Sequence, residues 1–136
     1  MVALTTGVDL VVIPRVDRIL SKYGTRFLDR VFTPAEILFS RSRPAELAAR
    51  FAAKEAVSKA LGVGMRILSP AGIEWLDVET LNHPSGQPYL VLHGRARELA
   101  SASGLTTWSV SLTHDGDLAM AFVVALGHPL TGAGQD

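Results

Sequence analysis

Between Pro44 and Leu61 the chain carries seven alanines, at 45, 48, 49, 52, 53, 56 and 60, with no glycine until Gly62. Such a run is a strong helix former with a slim profile, and Gly62 is a natural terminator. Slim faces let neighbouring backbone come close, so the segment predicts a helix packed on nearly every side. That matters for its charges. Glu55 and Lys59 lie at i, i+4 on one stripe with Phe51, and Arg50 and Lys54 form a second i, i+4 pair. On an exposed helix these would be surface pairs of a few tenths of a kcal/mol. Within a packed helix they are costly, and point to function.

The other elements follow around that helix. Leu4 to Ile13 is rich in Val, Leu and Ile and predicts a strand closed by Pro14. Arg15 to Lys22 has helical spacing, with Val16, Ile19, Leu20 and Tyr23 on one side and Gly24 as the stop. Thr33-Pro34-Ala35-Glu36 has the pattern of a capping box and opens a short helix to about Ser40. Residues 41–44 form a loop, as does Gly62-Val63-Gly64. The second half predicts strands at Ile73–Leu81 and Tyr89–His93 joined by a turn over 83–88. A helix over Arg95–Ser103 then leads to strands at Thr106–Thr113 and Leu118–Leu126 around Asp115-Gly116-Asp117. The expectation is one α+β domain over 1–127, with about five strands and three or four helices, and a disordered tail over 128–136. A chain of 136 residues with 48% hydrophobic content is long enough for one real core.

The formal net charge of zero conceals an asymmetry. From Leu10 to Pro70 there are 11 basic and five acidic residues, and from Ala71 onward two basic and seven acidic. A basic first half suggests an anionic ligand or acidic partner, against the alternative that the two halves interleave on one surface. Arg15, Arg18 and Lys22 fall at i, i+3 and i+7 and make a basic stripe, with Arg26 beyond it. With no cysteine, the chain has no disulfide, thiolate metal site or cysteine nucleophile, which fits a reducing cytoplasm. No apolar run reaches the roughly 18 residues of a membrane span, and Met1 to Val12 lacks the marks of a signal peptide.

Asp9 is the one charged residue inside the first strand. A carboxylate there costs several kcal/mol unless paired, hydrogen-bonded or bound to a metal. A local cap, and a metal ligand or base, are both open readings. One carboxylate on a strand and one on a central helix, with lysines near, suits Mg²⁺ holding a phosphate ester. Neither a Walker A loop nor a Gly-x-Gly-x-x-Gly fingerprint is present.

Gly7-Val8-Asp9 and, a little over forty residues on, Phe51-Ala-Ala-Lys54-Glu55-Ala-Val-Ser-Lys59 resemble the two motifs of the 4′-phosphopantetheinyl transferases, specifically the short holo-acyl-carrier-protein synthase type. The resemblance extends to Phe32–Glu36, to Gly86-Gln87-Pro88-Tyr89 and to Ser109–His114, with Thr5 departing from a frequent glycine. It implies transfer of the phosphopantetheine arm of coenzyme A to a serine of apo-acyl carrier protein, with release of 3′,5′-ADP, in fatty-acid or polyketide biosynthesis. It implies Asp9 and Glu55 as ligands of Mg²⁺, Lys59 beside the developing charge, and Glu55, directly or through a metal-bound water, as the base. Arg50, Ser111 and His114 are candidates for the nucleotide phosphates. Gly62 and Gly64 would line the approach, and Gly86 to Pro88 would lie near the adenine. The stripe Arg15, Arg18, Lys22 and Arg26 would dock the acidic carrier protein. Longer members of the superfamily read as two fused halves, so a single half implies a homotrimer with sites between subunits. A mean hydropathy of +0.26 is compatible with that. The alternatives are a non-catalytic basic module that binds an acidic protein or nucleic acid, and another Mg²⁺-dependent phosphotransferase. An aromatic content of 7% and the absence of any basic run speak against nucleic acid.

Overall fold

The computed structural model describes residues 1–129. Strand β1 (Ala3–Val12) runs directly into helix α1 (Ile13–Tyr23), with Pro14 in its first turn. Helices α2 (Thr25–Val31), α3 (Pro34–Ser40) and α4 (Pro44–Leu61) follow. A 3-10 turn over Trp75–Asp77 leads into β2 (Val78–Asn82) and β3 (Pro88–Leu92). Helix α5 (Gly94–Ala102) and the strands β4 (Leu105–Asp115) and β5 (Leu118–Gly127) complete the chain. The sheet order is β1-β5-β4, all antiparallel, and β2-β3 is a separate antiparallel pair.

Helix α4 lies across the inner face of the three-stranded sheet, and eleven of its 18 residues are buried. The alanines perform the expected work. A Cβ on Gly7 of β1 would stand 1.9 Å from the Ala56 carbonyl oxygen, so strand and helix backbones meet there without a side chain between them. Two residues earlier the Thr5 hydroxyl donates to the Ala60 carbonyl at 2.8 Å. The inner sheet face is small and apolar, with Val11, Ala119, Ala121, Val123 and Ala125 all buried. The outer face is also apolar, and open. Leu4, Val8, Leu10 and Val12 of β1 stand beside Leu118, Met120, Phe122 and Leu126 of β5, all of them exposed.

Several expectations need correction. Residues 25–31, left without an element, form α2, which buries Phe27, Leu28 and Val31. Their i, i+1, i+4 spacing is helical, but no cap precedes Thr25, and the preceding Gly24 bonds back to Leu20 instead. Ile73 to Leu81 is not one strand. Ile73 makes an isolated bridge to Met65, the 3-10 turn intervenes, and pairing with β3 starts at Val78. Glu74 and Asp77 close that turn with reciprocal capping bonds that propensity alone does not reveal. The predicted capping box at Thr33 and Glu36 is present. Of the tail, residues 130–136 lie outside the described residues, while His128 Nδ1 sits 2.8 Å from the Met1 carbonyl. Among the described residues no helix is long and apolar enough to cross a membrane.

Candidate active site

Asp9 and Glu55 come together where β1 crosses α4. The Gly7 contact brings the two backbones close two residues before Asp9. The even-odd alternation of β1 then aims Asp9 inward, between buried Gly7 and Val11. Both carboxylates line one cavity of about 310 Å³ whose walls include Val16, Ile19, Phe27 and Phe51. Lys59, one turn beyond Glu55, donates to Asp9 Oδ1 at 3.1 Å and to the Val8 carbonyl at 3.0 Å. Asp9 is mostly covered whereas Lys59 is 53% exposed, so the pair forms a rim at which a charged ligand can meet both. Burial pushes the Glu55 carboxyl above the ordinary glutamate value, and the charge of Asp9 adds to that push against the opposing pull of Lys59.

Two hard carboxylates whose negative charges oppose one another are a donor set that a divalent, oxygen-preferring cation would relieve. Among the described residues no group of three or more His, Cys, Asp or Glu could hold a metal. A cation here would therefore draw the rest of its shell from substrate oxygens and water, as Mg²⁺ ordinarily does.

The remaining candidates divide into three places. Gly62 and Gly64, both at positive φ, end α4, and the Ser58 carbonyl accepts from the N–H groups of Val63 and Gly64. They lie on the Lys59 side. Arg50 does not face the cavity. It is 1% exposed, with Nη1 donating to Glu46 Oε1 at 2.9 Å, Nη2 to Asn82 Oδ1 at 2.7 Å, and its guanidinium over the Phe39 ring. Both terminal nitrogens are hydrogen-bonded within the chain, and Nε is left without a partner. The same asparagine donates through Nδ2 to the Gly86 carbonyl, so Arg50, Asn82 and the turn before Pro88 make one cluster. Asn82 carried no signal in the sequence beyond its place at a strand end.

Ser111 and His114 lie on β4, and β5 separates them from β1: Ser111 aligns with Phe122 and Val8, His114 with Ala119 and Val11. Two strand spacings are about 10 Å. Ser111 shares the outer sheet face with Phe122 and so points away from Asp9. Within one chain neither residue belongs to the Asp9–Glu55 cavity. Arg15 does line that cavity. Arg18 and Lys22 are exposed along α1, and Arg26 lies with Tyr23, Phe27 and Arg30 around an adjoining cavity of about 270 Å³. Phe27 and Phe51 add apolar walls; Phe51 shares the Glu55 stripe, and its ring stacks on Trp75 with centroids 4.8 Å apart.

The chain is 50% identical over 126 residues to the holo-[acyl-carrier-protein] synthase of Herpetosiphon aurantiacus, covering 91% of this chain and 99% of that one. Its fold matches the Helicobacter pylori holo-[acyl-carrier-protein] synthase in complex with coenzyme A, with a TM-score of 0.78, 31% identity, and coverage of 88% and 98%. The Chronobacterium ammoniagenes synthase–coenzyme A complex matches with a TM-score of 0.76, 35% identity, and coverage of 90% and 96%. Residues 5–123 match the 4′-phosphopantetheinyl transferase superfamily, and the chain belongs to that family.

Proposed function

We propose that this chain is a holo-acyl-carrier-protein synthase, transferring the 4′-phosphopantetheine arm of coenzyme A to a serine of apo-acyl carrier protein and releasing 3′,5′-ADP. The observation that carries this is the joining of Asp9, Glu55 and Lys59 at one cavity in a chain half identical to such a synthase. The serine oxygen bonds to the phosphorus of the phosphopantetheine phosphate as the bond to 3′,5′-ADP breaks. Asp9 and Glu55 would hold Mg²⁺, which when bound supplies positive charge to the pyrophosphate and polarises the phosphorus under attack. Lys59, held in place by Asp9 and the Val8 carbonyl, presents its ammonium to the same developing charge. Glu55, directly or through a metal-bound water, would accept the serine proton. Gly62 and Gly64 would leave the Lys59 end of α4 open to phosphate. The Arg50–Asn82–Gly86 cluster would hold the turn that meets the adenine end. A cytoplasmic location belongs to the same reading. Release of 3′,5′-ADP, followed by chromatography, should require coenzyme A, apo-carrier protein and Mg²⁺ together; release without carrier protein would contradict the reading.

The same proposal includes a homotrimer. The outer sheet face carries eight large exposed apolar side chains in two adjacent strands, more than a solitary soluble chain ordinarily leaves contiguous. Ser111 lies on that face, and in the assembly His114, near the end of β4, would reach the cavity of a neighbouring subunit. Phe122→Glu places a charge at the centre of that face without touching the core. It should convert trimer to monomer in light scattering while leaving the circular dichroism unchanged, and a variant that stays trimeric would contradict the assembly.

The basic stripe on α1 and α2 is proposed to dock the acidic carrier protein. Arg18 stands clear of the cavity, so Arg18→Glu should raise KM for carrier protein roughly tenfold and leave KM for coenzyme A unchanged. Equal effects on both would exclude docking by the stripe.

A further inference from the structure

We propose that the buried ion pair between Glu36 of α3 and Lys54 of α4 sets the rotation of α4 about its own axis, making both positioning residues for Glu55. The inference rests on the reading of Asp9 and Glu55 as a metal-binding pair. Helix α4 has an unusual weakness as a scaffold. Ala48, Ala49, Ala52, Ala53, Ala56 and Ala60 are all buried, so six of its eleven buried positions present only a methyl group, with Leu47 and Val57 the buried larger apolar side chains. Helices keep their rotation through large side chains seated between those of their neighbours. A surface of alanines offers few such ridges.

Directional bonds take their place. Lys54 is completely buried and uses all three ammonium protons: on Glu36 Oε1 at 2.8 Å, on the Trp75 carbonyl at 3.1 Å, and on the Val78 carbonyl. Glu36 is equally buried. Its Oε1 also accepts from the Thr33 N–H at 2.9 Å, and Oε2 accepts from the Thr80 N–H at 3.0 Å. One point thus ties α4 to α3, to the 3-10 turn and to β2. Adjacent helical side chains project about 100° apart. Fixing Lys54 toward β2 therefore fixes Glu55 toward Asp9. The pair also satisfies the Thr33 and Thr80 N–H groups and the Trp75 and Val78 carbonyls, so it stabilises this corner as well as orienting the helix. Orientation is what apolar side chains would not supply.

The test uses the double variant Glu36→Leu/Lys54→Met, which removes both charges together but leaves the four backbone groups they bond without side-chain partners. Coenzyme A binding is measured by calorimetry with and without Mg²⁺, alongside thermal unfolding and kcat. The folded double variant should lose at least about tenfold of the Mg²⁺ enhancement of coenzyme A affinity, with kcat falling and KM for carrier protein unchanged. An enhancement and kcat within about twofold of the parent would overturn the proposal. Should the double variant fail to fold, Glu36→Gln decides. Every contact of Glu36 is with a donor, so an amide nitrogen must lose at least one bond at constant shape. The enhancement should then fall at least about threefold, and an unchanged value would overturn the proposal. A parent whose coenzyme A binding is indifferent to Mg²⁺ and to Asp9→Asn would instead overturn the site reading beneath it.

Discussion

Glu55→Gln is expected to reduce phosphopantetheine transfer by about a thousandfold or more while leaving the protein folded. The substitution keeps the shape of the side chain and removes what the site uses, a charged oxygen facing Asp9. Metal affinity and proton acceptance fall together, so kcat should fall with no compensating gain in KM. Stability should move the other way. The Glu55 carboxyl is raised above its ordinary value by burial and by Asp9, so its charged form is disfavoured in the folded state. In metal-free protein, a carboxyl raised in this way contributes stability below its unfolded value. That contribution is lost as pH rises through the raised one. The Tm advantage of Glu55→Gln over the parent should therefore be absent in acid and emerge toward neutral pH, and Mg²⁺ should diminish it by stabilising the parent. A variant less stable than the parent at neutral pH would show that Glu55 is a structural partner and not a repelled ligand.

Gly7→Ala is expected to be severely damaging, because its added methyl group meets helix backbone. The added carbon would stand 1.9 Å from the Ala56 oxygen, 2.8 Å from the Ala56 carbonyl carbon and 3.0 Å from the Ala60 nitrogen. All three are backbone atoms of a helix, so no side chain can swing aside. The strand must lift from α4 and carry Asp9 with it. Overpacking of this kind costs about 3 kcal/mol or more, on the order of a 10 °C fall in Tm for a domain of this size. Mg²⁺-dependent binding of coenzyme A should be lost in whatever fraction stays folded. Gly62→Ala is the control. It meets nothing within 4 Å, but its φ of +75° strains any side chain, and it should cost only about 1 kcal/mol. If the two variants were equally stable, the close approach of β1 to α4 would not be what seats Asp9.

Both predictions rest partly on features the sequence displays, the alanine-rich helix and the lone carboxylate of the first strand. The alanine run predicts a helix packed on nearly every side, and Asp9 stands out because a carboxylate inside an apolar strand demands a partner. The capping box at Thr33 is local chemistry and read correctly for that reason. What escaped was non-local. Arg50 and Glu55 look alike along a helix, one charge among alanines, yet Arg50 is enclosed by Phe39 and Asn82 from elements 11 and 32 residues away. Spacing within α4 holds no information about those partners. The basic half-chain likewise overstates the surface field, since Arg50 and Lys54 are buried against Glu46 and Glu36. Helix α2 has no N-terminal side-chain cap to mark it in the sequence, and it buries Phe27 beside the cavity together with Leu28 and Val31. The positions of Ser111 and His114 follow from strand order, which pairs β4 with β5 and keeps both residues two strands from Asp9.

The most direct test of the account is mass spectrometry of apo-acyl carrier protein incubated with coenzyme A, Mg²⁺ and this protein. The account predicts a gain of one phosphopantetheine on a single serine, abolished by chelation and by Asp9→Asn or Glu55→Gln. An unchanged carrier-protein mass with a folded, coenzyme A-binding sample would contradict it, as would a gain that survives both substitutions.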